Sequence, residues 1–438
     1  MKQSIDNHPH GGHLTTALTG PLQMIETHLL ARQPQIETWF RGEWKKSRAP
    51  FYTSVDLRNA GFKLAPVDTN LFPAGFNNIN PVFFPLAVQA IQVAVERVCP
   101  FACNILIIPE NHTRNMFYLE SLATLQQVMR HAGFVVRIGS LIDDLQQAET
   151  IELPSGKQIV LEPIKRDGEK IQLDSINKDG IFTPCAVLMN NDLSGIPKIL
   201  ENISQSIIPP LKLGWDHRRK SDHFQHYHQV AEEFAQLLDI DPWLIDPLFE
   251  KCGEIDFKNR EGEECLASHV DHLLTEIQKK YDEYGVDKPP FVLVKADAGT
   301  YGMGIMTIHS ASEIHELNRK QRNKMAKSKG GVSVTDVIIQ EGVYTFETIG
   351  EDEAVAEPVV YMVDHSVIGG FYRVHTSRGP NENLNAPGMH FEPLSFANPL
   401  NLPDHNQEPD ADPNRFYAYG VIARLAMLAA AREIKEVI

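Results

Sequence analysis

The run FVLVKADAGTYGMGIMTI at residues 291–308 constrains the fold more than any other part of the sequence. Two apolar segments flank a glycine-rich turn, which predicts a strand, a turn and a second strand. In period-2 alternation Lys295 ends the first strand on the face that carries Phe291 and Leu293, where a cation is costly unless an anion meets it. Three glycines would let backbone N–H groups approach phosphate oxygens: Gly299, Gly302 and Gly304. The run predicts a phosphate-binding hairpin, and an edge hairpin kept soluble by its lysine is the alternative.

Composition limits the classes of partner. Lysine plus arginine (41) against aspartate plus glutamate (57) leaves a net charge of −16, which argues against a protein that works mainly on nucleic-acid backbones. No apolar run approaches the roughly 20 residues that cross a bilayer, and the polar start of the chain lacks the pattern of an export signal. Five cysteines without a CxxC spacing fit reduced thiols. We therefore expect a cytoplasmic protein with no nucleic-acid or membrane partner.

The order of predicted elements indicates an α/β fold class with four units. Helical spacing fills the start of the chain, strands and helices then alternate, and a mainly helical stretch follows until Pro289 and Pro290 end it. The remainder is β-rich up to a long C-terminal helix. The predicted units are an N-terminal helical segment at 1–45, an α/β substrate domain at 46–205, a helical connecting subdomain at 206–290 and a nucleotide-binding domain at 291–438.

Two later segments carry polar residues that could contact a nucleotide. The strand VIIQEGV at 337–343 ends in Gln340, Glu341 and Val343. This suits a hinge whose backbone pairs an adenine edge while the carboxylate takes ribose hydroxyls, and an ordinary strand end is the alternative. In the hairpin that follows, Arg373 lies on one face of the second strand. Its guanidinium group could clamp a phosphoryl group in transfer.

The run at 53–81 mixes charged, amide and aromatic residues with neither helical nor strand period, which predicts an ordered functional loop. An amino-acid substrate needs a cation for its α-carboxylate and an anion for its ammonium group, and Arg58 with Asp56 or Asp68 could supply that pair. Structural capping by Asp and Asn is the alternative. The candidate substrate contacts, which include one residue between a later strand and helix, are Asp56, Arg58, Lys63, Asp68, Asn70 and Arg114.

Two further clusters carry weaker functional signals. His223, His226 and His228 have a spacing that could bind a metal, but no second ligand set accompanies them, which favours a polar helix face. Just upstream, Arg218 and Arg219 could meet a phosphate or a substrate carboxylate. A solvated charge run is the interpretation that we favour for these arginines.

In combination these elements resemble a known family. Lys295 on a strand, the glycine-rich loop, the hinge strand and Arg373 occur in the order found in the ATP-grasp fold of carboxylate-amine ligases, notably glutathione synthetase. With the runs SVDLRNAGFKLAPVDTNLFPAGFNNINP, GGFYRVH and NENLNAPG, nearly the whole chain resembles the glutamate-cysteine ligase family of proteobacteria. The resemblance implies an ATP-grasp C-terminal unit preceded by a Rossmann-like, pre-ATP-grasp substrate domain.

The resemblance also implies a reaction. ATP would phosphorylate the side-chain carboxylate of glutamate, and the amine of cysteine would displace phosphate to give gamma-glutamylcysteine, the first step of glutathione biosynthesis. Lys295 would hold the α- and β-phosphates, the glycine-rich loop would cover the γ-phosphate, residues 340–343 would seat the adenosine, and Arg373 would stabilise the transferring group. The alternatives are another ATP-grasp ligase, such as a glutathione synthetase-like enzyme, or a non-catalytic nucleotide-binding module.

The resemblance further implies that Mg²⁺ accompanies ATP. In ligases similar to glutathione synthetase the metal ligands usually come from strands beyond the last long helix, whereas this chain ends at Ile438, in or just after that helix. The best substitutes close to Arg373 in sequence are Glu357, Glu382, Asn383 and Asn385. A solvated turn in NENLNAPG is the alternative for the asparagines. The sequence leaves the oligomeric state open.

Overall fold

The computed structural model describes residues 14–15, 21–111, 114–174, 180–193, 195–214, 217–298, 304–327, 333–394 and 415–437. Within these ranges the chain forms three larger β-sheets, a two-stranded ribbon and nine α-helices. The helices are α1 (Pro21–Ala31), α2 (Gln33–Lys46), α3 (Phe84–Val98), α4 (Met116–His131), α5 (Lys220–Leu238), α6 (Glu263–Tyr284), α7 (Ser312–His315), α8 (Arg319–Met325) and α9 (Arg415–Val437). The strands are β1 (Leu14–Thr15), β2 (Tyr52–Asn59), β3 (Leu64–Asn70), β4 (Asn104–Pro109), β5 (Val135–Ser140), β6 (Glu149–Glu152), β7 (Gln158–Pro163), β8 (Lys165–Asp167), β9 (Lys170–Gln172), β10 (Ala186–Asn190), β11 (Ser206–Ile208), β12 (Phe249–Cys252), β13 (Val292–Ala296), β14 (Ile305–Ile308), β15 (Val337–Glu341), β16 (Thr348–Ile349), β17 (Ala354–Val363), β18 (Ser366–His375) and β19 (His390–Pro393).

A six-stranded sheet has the order β11-β10-β4-β5-β7-β6, and all neighbours are parallel except the edge pair β6-β7. Its inner strands β4 and β10 are mainly apolar and buried, as expected for parallel strands that are covered on both faces. The polar residues that follow β4 and β10 emerge together at the carboxyl-terminal edge of the sheet. Ligands of open α/β sheets bind at this edge.

A seven-stranded antiparallel sheet has β17 near its centre. One edge of β17 pairs with β18 along its length, and the other pairs with β16 near the start of β17 and with β2 near its end. β2 also pairs with β3, so an early hairpin of the chain joins strands from its last third. Asp56 lies opposite Val359, and Glu357 lies opposite Arg373. Charged residues that are far apart in sequence therefore meet on one sheet.

A four-stranded antiparallel sheet has the order β12-β15-β13-β14. β13 and β14 form the predicted hairpin, in which Lys295 lies opposite Ile305, with Ile338 of β15 on its other side. Helix α9 contacts both α5 and the strands β2 and β3. Residues 417–431 of α9 are all buried, which is typical of a helix that is apolar on nearly every face. This helix holds the strands of the seven-stranded sheet against the helices beside the smaller sheet.

The predicted α/β class is confirmed. The ordered loop predicted at 53–81 is wrong, because residues 52–59 and 64–70 form the strands β2 and β3. Both strands are buried along nearly their whole length, so they lack the alternation of polar and apolar residues that marks a half-exposed strand. The unit boundaries stay a prediction: β2 and β3, assigned by sequence to the substrate domain, lie in the sheet of the last unit. Within the described residues one helical window, 81–98, is long and apolar enough to cross a membrane by composition. Its buried residues pack in a core shared with α4, so it is weak evidence for a membrane segment.

Candidate active site

Lys295 lies near the end of β13, and only 6% of its surface is exposed. Its ammonium group donates to the backbone oxygen of Val67 at 2.9 Å and to Oε1 of Gln340 at 2.6 Å. Burial, against the opposing charge of Asp68, lowers the pKa of Lys295 to about 8. An anion close to the ammonium group would stabilise its charged form and raise this pKa. The position therefore suits the phosphate contact that the sequence predicts.

The predicted hinge strand ends beside this lysine. Gln340 is fully buried, and its Nε2 has no hydrogen-bond partner within the described residues. Gly342 donates its N–H to the backbone oxygen of Phe291 at 2.8 Å, and a Cβ on Gly342 would lie 2.1 Å from the Phe291 ring. The carbonyl of Val343 accepts from Nη1 of Arg58 at 3.1 Å. The hinge therefore packs tightly against the start of β13. Among the described residues, Nε2 of Gln340 is a buried donor of the hinge that a ligand could satisfy.

The glycine-rich turn is described at its far end only. Gly304 has φ +64°, and its carbonyl accepts from the N–H of Ala296 at 3.0 Å, which closes the hairpin next to Lys295. The positive φ explains why glycine stands there. Gly299 and Gly302 lie outside the described residues, so their predicted contacts with phosphate stay predictions.

Four charged side chains form a network where β2, β17 and β18 meet. Nη1 of Arg373 contacts Oε1 of Glu357 and lies 2.9 Å from Oδ2 of Asp56. Nε of Arg58 lies 3.1 Å from the other carboxylate oxygen of Glu357. Burial alone would raise the pKa of Glu357, but the two guanidinium groups lower it, whereas burial and the neighbouring carboxylates raise the pKa of Asp56. The network brings together Arg373, Asp56, Arg58 and Glu357, all of which the sequence singled out.

Asp68 connects this region to helix α5. Its carboxylate lies 2.6 Å from Nζ of Lys220, and the Asp68 side chain is 44% exposed. Burial alone would raise the pKa of Asp68, but Lys220 and Lys295 hold it well below its usual range. Sequence reasoning missed Lys220 as a site residue. The signal was present, because Lys220 ends the basic run just upstream of the histidine cluster.

Lys63 and Glu341 pair with each other, which favours a structural role over the predicted contacts with substrate and ribose. Nζ of Lys63 lies 2.6 Å from Oε2 of Glu341, and each side chain is 1% exposed. Glu341 also accepts from Nε1 of Trp243 at 3.2 Å and from the N–H of Leu248 at 3.0 Å. Nζ of Lys63 lies over the Trp243 ring, 4.4 Å from its centroid. Both oxygens of the carboxylate are therefore committed to the protein.

The predicted metal ligands divide into two groups. Glu357 lies in the charged network, whereas Glu382, Asn383 and Asn385 lie in a turn that binds itself. Oε2 of Glu382 accepts from the N–H of Gly379 at 2.7 Å, and Oδ1 of Asn383 accepts from the N–H of Asn385 at 2.9 Å. These contacts favour the solvated-turn alternative for the three turn residues.

The two remaining predicted substrate contacts lie in different surroundings. Oδ1 of Asn70 accepts from the N–H of Phe72 at 2.8 Å, which is the capping role of the structural alternative. Asn70 also lines a cavity of about 110 Å³. Arg114 is exposed and lies two residues before α4. It is not among the described residues that line this cavity.

This cavity lies where the three larger sheets meet. The end of β3, the carboxyl-terminal edge of the parallel sheet, the start of α5 and the residue after β13 all contribute to it. The charged residues and the histidine in its lining are Asp68, Glu110, Asp192, Arg218, Lys220, His223 and Asp297. Asp297 is fully buried and accepts from the N–H and hydroxyl of Ser221, which fixes the start of α5.

The expectations of a solvated charge run at Arg218 and of a polar helix face at His223 are wrong, because both side chains are largely covered. Arg218 binds the carboxylate of Glu433 on α9 with distances of 2.8 and 3.1 Å. Nδ1 of His223 lies 3.1 Å from the same carboxylate, and the His223 side chain is 3% exposed. The docking of α9 on α5 buries both residues, and a contact across more than 200 residues leaves no local signal.

The family model for glutamate-cysteine ligase, GshA, matches residues 26–434. The chain belongs to this family. It is therefore a ligase, as the sequence predicts. Among solved structures it is similar to a protein provisionally named gamma-glutamylcysteine synthetase from Methylobacillus flagellatus KT, with 60% identity and a TM-score of 0.88 over 98% of this chain and 99% of that chain.

More distant similarity extends to two other solved structures. One is a glutathione synthetase-like effector from Globodera pallida, with 9% identity and a TM-score of 0.36 over 81% of this chain and 78% of that chain. The other is D-alanyl-alanine synthetase A from Vibrio cholerae O1, with 11% identity and a TM-score of 0.33 over 74% and 81%. None of the curated proteins compared with the chain matches it significantly.

Proposed function

We propose that the chain joins the γ-carboxylate of glutamate to the amine of cysteine at the expense of ATP, through a γ-glutamyl phosphate. Family membership supports the ligase reaction. The observation that carries the mechanism is a short series of contacts from buried Lys295 to the Arg373 network. Nζ of Lys295 lies 2.9 Å from the backbone oxygen of Val67, and the next residue, Asp68, lies opposite Asp56 on β2. Oδ2 of Asp56 in turn lies 2.9 Å from Nη1 of Arg373. A cation for a phosphate tail and a guanidinium group for a transferring phosphoryl group therefore lie in one region.

Each element then has a role in positioning or charge stabilisation. Lys295 holds the α- and β-phosphates, the glycine-rich loop covers the γ-phosphate, and the hinge from Gln340 to Val343 seats the adenosine. Arg373 stabilises the negative charge that develops on the phosphoryl group and on the tetrahedral intermediate. No covalent bond to the protein is needed, since orientation of the reactants can supply roughly 7–11 kcal/mol of the barrier.

Mg²⁺ would fit the carboxylates of Asp56 and Glu357 in exchange for their contacts with Arg373 and Arg58. Both approach Nη1 of Arg373, so their oxygens converge. Burial first, and then the carboxylates of Glu357 and Asp68, raise the pKa of Asp56 against the opposing charge of Arg373. Hard carboxylate oxygens are the protein ligands that Mg²⁺ prefers, and the ion would offset the charge of the triphosphate when bound. Glu382 and Asn383 fit less well, because their side-chain oxygens accept from backbone N–H groups of the turn, one of them from Asn385.

The reaction requires only small-molecule substrates, and we expect it to occur in the cytoplasm. A first alternative is an ATP-grasp ligase with another acceptor, such as a glutathione synthetase-like enzyme. A second alternative is a nucleotide-binding module without turnover. The fully assembled charged network around Arg373 favours catalysis over binding alone.

One assay separates these functions. Purified protein with ATP and Mg²⁺ should release phosphate only when glutamate and an amine are both present, with cysteine faster than alanine or glycine and gamma-glutamylcysteine identified by mass spectrometry. Faster turnover of glycine with a cysteine-containing dipeptide would favour the first alternative. ATP binding without amino-acid-dependent phosphate release would favour the second.

A further inference from the structure

The cavity between the three sheets has room for a small ligand. Its volume of about 110 Å³ is several times the ~10–15 Å³ that one water needs and is smaller than the roughly 300–1,000 Å³ of pockets for larger ligands. It lies next to the proposed phosphate site. Asp297 of its lining follows Lys295 by two residues, and Asp68 follows Val67, whose carbonyl accepts from Lys295.

The lining of this cavity favours an amine in its protonated form. Four of the lining side chains are carboxylic acids, Asp68, Glu110, Asp192 and Asp297, and two are cations, Arg218 and Lys220, so acids outnumber bases. Negative charge in a cleft concentrates cations such as an ammonium group. An ammonium group has no lone pair with which to attack an acyl phosphate. An amide-forming site of this kind therefore needs a base that removes one proton.

His223 has the chemistry of that base. It is 2% exposed and lines the cavity, and its Nδ1 lies 3.1 Å from Oε2 of Glu433. Its Nε2 is buried and has no hydrogen-bond partner within the described residues. An ionised carboxylate only accepts hydrogen bonds, so Nδ1 carries the proton and Nε2 presents a lone pair.

The groups around His223 keep its imidazole neutral and the carboxylate of Glu433 ionised. Burial and Arg218 lower the pKa of His223, while Glu433 and Asp68 oppose the shift, so the imidazole is neutral at pH 7. Burial alone would raise the pKa of Glu433, but Arg218 and His223 lower it to about 2, which keeps the carboxylate ionised. Lys220 and Asp297 face the same cavity, where Lys220 pairs with Asp68 and Asp297 is held by Ser221.

We infer that this cavity binds the acceptor amino acid and that Nε2 of His223 takes one proton from its ammonium group, with Glu433 as the positioning residue. The inference rests on the proposed function. The freed nitrogen lone pair forms the C–N bond to the γ-carbonyl carbon of γ-glutamyl phosphate. The C–O bond to phosphate then breaks, phosphate leaves with that electron pair, and the second proton of the nitrogen leaves with it. His223 ends the step as an imidazolium ion.

Hydroxylamine provides the test, because it is largely unprotonated at neutral pH and attacks acyl phosphates without a base. Wild-type protein, His223→Gln and the control His226→Gln are compared with cysteine and with hydroxylamine as acceptors, at saturating ATP and glutamate. His226 lies one helical turn away and pairs with Glu436 at 3.4 Å, outside the cavity. We expect H223Q to lose about a hundredfold or more in kcat with cysteine. Its rate of hydroxamate formation should stay within about threefold of wild type, and H226Q should retain both rates.

Equal loss of both reactions in folded H223Q, or retention of both, would overturn the inference. If H223Q does not fold, the wild-type pH profile decides. We expect the rate of the cysteine reaction to fall below pH 6.5, because His223 must be neutral to accept a proton. The rate with hydroxylamine, corrected for the protonation of hydroxylamine itself, should not show this fall. A limb shared by both acceptors contradicts the inference. A wild-type protein inactive with both acceptors would instead contradict the proposed function.

Discussion

Proton uptake on ATP binding gives a quantitative test of Lys295. The lysine is buried, and burial lowers its pKa to about 8 in the free protein. A triphosphate that contacts the ammonium group would raise this pKa, so only the protonated protein binds ATP well. With this pKa, the charged fraction of Lys295 in the free protein falls from about nine-tenths at pH 7 to about one-tenth at pH 9. By linkage, the affinity for ATP should weaken about tenfold between these two pH values. At pH 8, where about half of the lysine is charged, binding should take up about half a proton.

Isothermal titration calorimetry without amino acids measures both quantities. Titrations in buffers of different ionisation enthalpy give the number of protons taken up at each pH. Lys295→Arg is the matched control, because a guanidinium group stays charged across this range. We expect no proton uptake by K295R beyond that of ATP itself, and a flat pH dependence of its affinity. Equal proton uptake by wild type and K295R would refute the assignment of Lys295 to the phosphate tail.

Three further substitutions probe the charged network and the hinge. Arg373→Ala should reduce kcat about 10²–10³-fold while ATP affinity measured by calorimetry changes little, and an unchanged kcat would remove Arg373 from the mechanism. Lys63→Met should lower the free energy of unfolding, measured with urea, by about 3–5 kcal/mol, because it leaves the buried carboxylate of Glu341 without its partner. The double variant Lys63→Met, Glu341→Leu should recover most of this loss. Gly342→Ala should cost about 1–3 kcal/mol, because a Cβ would meet the Phe291 ring at 2.1 Å; an unchanged melting temperature would contradict that clash.

Local patterns predicted the elements that hold the proposed nucleotide site. The β13-β14 hairpin follows from alternation around a glycine-rich turn, and the buried position of Lys295 follows from the same period. The sequence also singled out Arg58 and Asp56, as a pair that could bind an amino acid, and Glu357, as a metal ligand close to Arg373. Their assembly into one network with Arg373 follows from the docking of β2 on β17, which no local pattern encodes.

The roles assigned from sequence are least reliable for polar residues whose hydrogen-bond or ion-pair partner lies far away in the chain. Lys63 looks like a substrate contact until Glu341 is seen 2.6 Å away, from a strand 278 residues later. His223 looks like part of a solvated helix face until α9 covers it and supplies Glu433. In each case the partner of the polar residue depends on packing between elements far apart in the chain.

Isotope transfer tests the proposed reaction most directly. Glutamate with ¹⁸O in both oxygens of its γ-carboxylate is turned over with ATP, Mg²⁺ and cysteine, and the released phosphate is analysed by mass spectrometry. A γ-glutamyl phosphate intermediate carries one of these oxygens to phosphorus, so we expect one ¹⁸O in each phosphate and one in the amide of gamma-glutamylcysteine. Product formation with unlabelled phosphate would contradict the mechanism.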